Sequence, residues 1–167
     1  MTIFIRPIQE HEDDAVYQMF QDIPEEENRA TNHAHGMTRK EFSEFCKKNV
    51  LNAKKEALPK DKVPQIMYII FDDAIPVGFG KFRPFLNEFC IKTRAGHFAY
   101  MISPKYRKRG YATAFLSFIK TEAQKAGLTE IEGTPLQKNI ASRRVMEKNG
   151  GVVKEYNEDE VTYVIKL

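Results

Sequence analysis

The sequence predicts an α/β fold of the α+β kind: a mixed, mostly antiparallel sheet with helices on both faces. Three observations predict it. Short runs with period-two apolar alternation recur along the chain, separated by tight turns. Longer runs with apolar spacing near 3.6 lie between some of them. The runs "GHFAYMI" and "LTEIEGT" are joined through a helix, which makes them parallel neighbours, whereas the earlier runs are joined by tight turns and must be antiparallel. A chain of 167 residues is expected to form a single domain, 1–167, around one core.

The elements follow in order. "TIFIRPI" opens the chain as a strand, and residues 12–22 form a helix with Ala15, Val16, Met19 and Phe20 on one face. "PEEENRATNHAHGM" reads as a polar loop. Residues 38–56 read as a helix started by Thr38, with Glu41 three positions on completing a capping box. "LPKDKVP" breaks it. "QIMYIIFDD" turns through Asp72, Asp73 and Ala74 into "IPVGFGKFR", a hairpin in which "GFG" serves packing. Phe85 to Thr93 reads equally as a short helix or an extended piece. After Gly110 a helix places Phe115, Leu116, Ile119 and Ala123 on one stripe and ends at Gly127. "LTEIEGTP" is a strand. Asn139 caps a helix reaching about Lys148, and Gly150–Gly151 stops it. "GVVKEY" and "EVTYVIKL" close the sheet.

Composition excludes several classes. No apolar stretch approaches the roughly 20 residues that span a bilayer, and the first twenty residues carry Arg6, Glu10, Glu12, Asp13 and Asp14, so no membrane partner and a cytoplasmic location are expected. Cys46 and Cys90 lack CxxC spacing and read as packing residues. "HAH" at 33–35 has no third ligand at suitable spacing, so no metal is expected. A net charge of +3 is too small for a nucleic-acid binder. Its distribution is more informative, because Lys105, Arg107, Lys108 and Arg109 fall within five positions of "ISPKYRKRGYATAF".

That cluster sits where a strand hands over to a helix. A helix N-terminus presents free N–H groups and a positive dipole end, which together hold anions. Basic side chains there work against the dipole unless an anion binds. Gly110 removes a side chain from the turn, and Ala112 is small. The motif is neither GxxxxGK[ST] nor GxGxxG, both of which are absent.

With Asn139 thirty-two residues after Arg107, opening "NIASRRVMEKNGG", these features resemble the GNAT superfamily of acyl-CoA-dependent N-acetyltransferases. Arg107, Gly110 and Ala112 match its R/Q-x-x-G-x-G/A pyrophosphate loop. The element order is also that of the family, so the resemblance covers nearly the whole chain. A narrower likeness is to a bacterial subgroup of predicted acetyltransferases, through Arg83, Leu86, Asn87, Gly96, His97 and Tyr100; Ala95 and Pro84 depart from its pattern.

The resemblance implies a GNAT fold whose parallel central pair splays to admit acyl-CoA. It implies acetyl-CoA as donor and direct transfer to a primary amine, on a small molecule or a peptide, by a monomer or homodimer. Arg107, Lys108, Arg109, Gly110, Tyr111, Ala112 and Thr113 are expected to hold the diphosphate. The backbone of Met101, Ile102 and Ser103, with Asn139 and Ser142, is expected to hold the pantetheine. Asn139 also reads as a plain helix cap. His97 is the expected base, or else a histidine bound within the core. Tyr100 is a donor to the leaving thiolate, or pocket wall. Arg83 and Asn87 either bind the acceptor or brace the hairpin. Many family members carry a tyrosine at the position of Met146, which cannot donate a proton; this keeps a non-catalytic acyl-CoA-binding module of the same fold as the alternative.

Overall fold

The computed structural model describes residues 2–167. In chain order the elements are β1 (Ile3–Pro7), α1 (Asp14–Asp22), β2 (Glu26–Glu27), β3 (Ala30–Thr31), α2 (Arg39–Asn52), β4 (Ile66–Asp72) and β5 (Ile75–Phe82). There follow α3 (Glu88–Thr93), β6 (Phe98–Ile102), α4 (Tyr111–Lys125), β7 (Glu130–Gly133), α5 (Ile140–Lys148), β8 (Gly151–Tyr156) and β9 (Val161–Lys166). The strands build a four-stranded sheet, β1-β4-β5-β6, and a three-stranded sheet, β7-β9-β8, antiparallel throughout.

Alternation along the strands sorts two cores onto opposite faces of the larger sheet. Tyr68, Ile70, Phe82, Phe98 and Ile102 pack with Phe115, Leu116 and Ile119 of α4. Met67, Ile69, Phe79 and Met101 pack with Val16, Phe20 and Phe42 of α1 and α2. Gly80 lets α4 lie close: a methyl group there would come within 2.1 Å of the Phe115 ring. Packing is indeed what "GFG" provides.

Four helix starts are capped by a side chain. Asp13 accepts from Val16 N–H in α1, Thr38 and Glu41 form the capping box of α2, Asn87 accepts from Cys90 N–H in α3, and Asn139 accepts from Ser142 N–H in α5. The ambiguous segment before β6 is settled as helix by the Asn87 cap at one end and the left-handed Arg94 at the other. The polar loop after α1 contains a hairpin, β2–β3, which sequence reading missed. Its turn residues Asn28 and Arg29 have φ of 50° and 65°, the conformation of a two-residue hairpin turn.

The expected parallel pair takes an unusual form. β6 and β7 adjoin through His97, whose N–H donates to Glu132 C=O at 3.0 Å while its Nδ1 accepts from Glu132 N–H at 2.9 Å. Past that point β7 turns off through Thr134 and Pro135, and among the described residues the outer edge of β6 continues without a strand partner.

Candidate active site

A cleft of about 1080 Å³ opens where the two sheets part. One wall is β6 and the end of β5, the other is α5 with Gly133 to Pro135, and the start of α4 closes one side. Main-chain direction along β6 follows from two contacts. Ser103 N–H donates to Val77 C=O on β5, and Ile102 C=O accepts from Arg107 Nε at 3.0 Å on the open side. Successive residues alternate, so Tyr100 and Ile102 present their main-chain groups to the cleft, whereas those of Met101 and Ser103 face β5. This corrects the expectation for Met101 and Ser103. Met101 lines the cleft, and Ser103 is fully buried outside it, with an Oγ that finds no partner among the described residues.

The start of α4 differs from the other helix starts. Gly110 occupies its cap position at φ 90°, with no side-chain cap and no acidic residue in the first turn. The first intrahelical bond runs from Ala114 N–H to Gly110 C=O. Among the described residues, the N–H groups of Gly110, Tyr111, Ala112 and Thr113 meet no protein acceptor. All four residues line the cleft, together with Lys108. The donors, the dipole end and an exposed cation therefore converge on one patch, which suits a diphosphate.

The basic side chains divide by role. Arg107 is a strut: besides Ile102 C=O it binds Glu27 through both terminal nitrogens, at 2.9 and 2.6 Å. Lys105 pairs with Asp22, and Arg109 lies over the Tyr106 ring, 5.7 Å from its centroid and outside the cleft lining. Arg107 lines the cleft with its guanidinium already engaged, Arg109 lies outside the lining, which corrects the expectation for it, and Lys108 is both exposed and part of the lining. Tyr111 is buried, and its hydroxyl donates to Asp72.

On the α4 face of β6, the Tyr100 hydroxyl lies 2.9 Å from Ser142 Oγ, and both line the cleft. Burial pushes the Tyr100 hydroxyl up to about 12, so it remains a hydrogen-bond donor at neutral pH. Asn139 spends its Oδ1 on the α5 cap and lines the cleft as well. Met146 is buried, and a methyl group at Gly133 would come within 3.0 Å of its Cε.

His97 is corrected as the base. It is 9 % exposed, does not line the cleft, and uses Nδ1 to bridge β6 to β7. Burial lowers its pKa by disfavouring the imidazolium, with Glu132 opposing. Asn87 is corrected likewise: it caps α3, donates to Asp61 C=O and lies outside the cleft. Arg83 does line the cleft, and its Nη1 donates to the carbonyls of Ala95 and Gly96.

Sequence reading missed Lys81, the place of His33 in the cleft lining, and two ion pairs made by the tip of the β2–β3 hairpin. Lys81 was visible as a lone charge in the apolar run "VGFGKF". His33 lay in a segment without periodicity. Glu27–Arg107 and Arg29–Glu160 tie the hairpin across the gap from the α4 turn to the smaller sheet; no local signal marks such pairs.

Comparison with known proteins agrees with this architecture. No curated protein matches the chain. Among solved structures, the GNAT domain of a Streptomyces lividans PAT protein is 16% identical with a TM-score of 0.66, over 100% of this chain and 92% of that one. A putative acetyltransferase from Salmonella typhimurium with its cofactor acetyl-CoA is 13% identical with a TM-score of 0.64, over 100% and 95%. A GNAT-family acetyltransferase from Bacillus anthracis is 22% identical with a TM-score of 0.65, over 99% and 95%. At these identities the likeness is one of fold. The family model described as acetyltransferase (GNAT) domain matches residues 2–152, and the chain belongs to the GNAT acetyltransferase family.

Proposed function

We propose that residues 1–167 act as one domain that transfers acetyl from acetyl-CoA directly to a primary amine. The observation that carries this is the uncapped start of α4 opening onto the unpaired edge of β6: four free N–H groups beside an unpaired strand edge in one cleft. Acetyl-CoA brings a thioester carbonyl activated toward amines. The N–H groups of Gly110 to Thr113, with Lys108, hold the diphosphate. The outer main-chain groups of Tyr100 and Ile102, with Asn139, hold the pantetheine as a strand would hold a neighbour, and one of these N–H groups polarises the reacting carbonyl.

Tyr100, steadied by Ser142, donates a hydrogen bond to the departing sulfur. Its hydroxyl is too weak an acid to give the proton up fully to a thiolate, whose ordinary range is near 8.5. The base lies on the opposite face of β6. His33 lines the cleft there, and desolvation, Lys81 and Lys48 lower its pKa, which favours the neutral imidazole that would accept the amine's proton. The narrower bacterial subgroup remains part of this reading, carried by Arg83, Leu86, Asn87, Gly96, His97 and Tyr100, of which His97 joins β6 to β7.

Met146 favours a second reading, a module that binds acyl-CoA without turnover. Calorimetry with acetyl-CoA, followed by thiol release across a panel of amines, separates the two. Binding with release supports transfer; binding without release on any amine supports the module; no binding rejects both.

A further inference from the structure

Two partly buried cations in the cleft lack counter-ions among the described residues. Lys81 and Arg83 both line it from the end of β5. Among the described residues, neither forms an ion pair with a carboxylate. Elsewhere in the same cleft the partly buried Arg107 and Arg94 are matched, by Glu27 and Glu160, whereas Lys108, Arg144 and Lys148, which form no ion pair among the described residues, are exposed. Leaving two half-buried cations side by side is costly, and it is the arrangement expected of a site whose anion arrives with a ligand.

The donor's diphosphate is the wrong anion for them. Gly80 and Phe82 face α4, so Lys81 and Arg83, between and beyond them, face the α1–α2 side with Phe79. The uncapped start of α4 lies on the other face. The two anion sites are thus on opposite sides of the sheet, joined through the gap beside β6. His33 lies on the Lys81 side. Glu25 acts on His33, where Lys81 and Lys48 outweigh it. The acceptor side is also bordered by the β2–β3 hairpin, whose tip is pinned by two ion pairs, Glu27 to Arg107 and Arg29 to Glu160.

We infer that the acceptor is a small amine that carries a carboxylate, a free amino acid or close relative, whose carboxylate seats against Lys81 and Arg83. This rests on the acetyltransferase reading for the identity of the ligand as acceptor. Burial, with Arg83 beside it, pushes the Lys81 ammonium down to about 8, as expected of a cation without a carboxylate partner.

The test uses reaction products, so it does not depend on turnover. N-acetyl-amino acids are titrated calorimetrically, each beside its carboxamide, with and without saturating CoA. Expected is at least one acid bound about tenfold or more tighter than its amide, with the preference reduced to about twofold or less in Lys81→Gln and retained in Lys81→Arg. In the wild type, lysine Cε NMR is expected to show the Lys81 titration moving upward when that acid binds. Equal affinity for acid and amide, no binding of any acid, or a preference that persists in Lys81→Gln overturns the inference. So does a preference shown only by N-acetyl peptides. CoA heat in the same runs reports the donor site separately: its loss strikes the acetyltransferase reading, while its presence without carboxylate preference strikes this inference alone.

Discussion

Gly110 joins two requirements at one position. Its φ of 90° is left-handed, a conformation that costs an L-residue about 1–2 kcal/mol, and its N–H belongs to the patch proposed for the diphosphate. Nothing lies within 4 Å of a methyl group placed there, so the strain is one of backbone alone. Gly110→Ala therefore isolates the strain, and Gly110→Asp adds a negative charge at the helix start. Relative to the alanine variant, the aspartate is expected to weaken CoA about tenfold or more by calorimetry; equal affinities would mean that the diphosphate binds elsewhere. Lys81 makes a separate prediction. Its folded pKa, about 8, lies below the ordinary 10.5, so between these values the unfolded chain holds more protons and stability rises with pH. Below pH 8 the ammonium must be kept charged while half-buried. Lys81→Met is expected to stabilise the protein at pH 7, with the gain shrinking as pH rises from 8 to 10.5. Urea unfolding at pH 7 and pH 10 reads this directly.

At the scale of elements, the β6–β7 junction shows which parts of the molecule were legible. The strands themselves follow from alternation, and α4 and α5 follow from their spacing and from Asn139. The glycine turn was legible as a helix start without a side-chain cap, whereas the partners of its basic residues were not, because Glu27 and Asp22 are distant in sequence from Arg107 and Lys105. The role of His97 was not legible, since a histidine on a strand has the same local pattern whether it faces a cleft or a neighbouring chain. Its partner, Glu132 N–H, is thirty-five residues away. Similarly, the turn at Asn28–Arg29 lies in a segment too short and polar for a periodic signal, and its ion-pair partners are distant in sequence. The junction makes a prediction that separates a staple from a base. His97→Ala leaves the Glu132 N–H without its acceptor and is expected to cost about 1–3 kcal/mol of stability by urea unfolding. The shape of the pH–rate profile should remain that of the wild type. A changed profile at unchanged stability would return His97 to the chemistry.

At the scale of the molecule, two sheets share little main-chain pairing and meet across a cleft. Their junction at His97–Glu132 is supplemented by the hairpin's ion pairs and by α5 against α4, where Lys120 Nζ donates to Asn149 C=O and Asn149 Nδ2 to Thr113 C=O. A ligand lying between the sheets and binding both would act as a further connection present only in the folded state. Binding of that kind stabilises by mass action, by about 2.7 kcal/mol at one hundred times the dissociation constant. For a chain of this size, 1 kcal/mol moves the melting midpoint by roughly 2–4 °C, so saturating CoA is expected to raise it by roughly 5–11 °C. Gly110→Asp at the same CoA concentration should lose a large part of that rise, because tenfold weaker binding removes about 1.4 kcal/mol. The Lys81→Gln variant should retain it, since its anion site faces away from the start of α4. A rise that Lys81→Gln loses and Gly110→Asp keeps would reverse the two faces, placing the coenzyme on the side assigned to the acceptor.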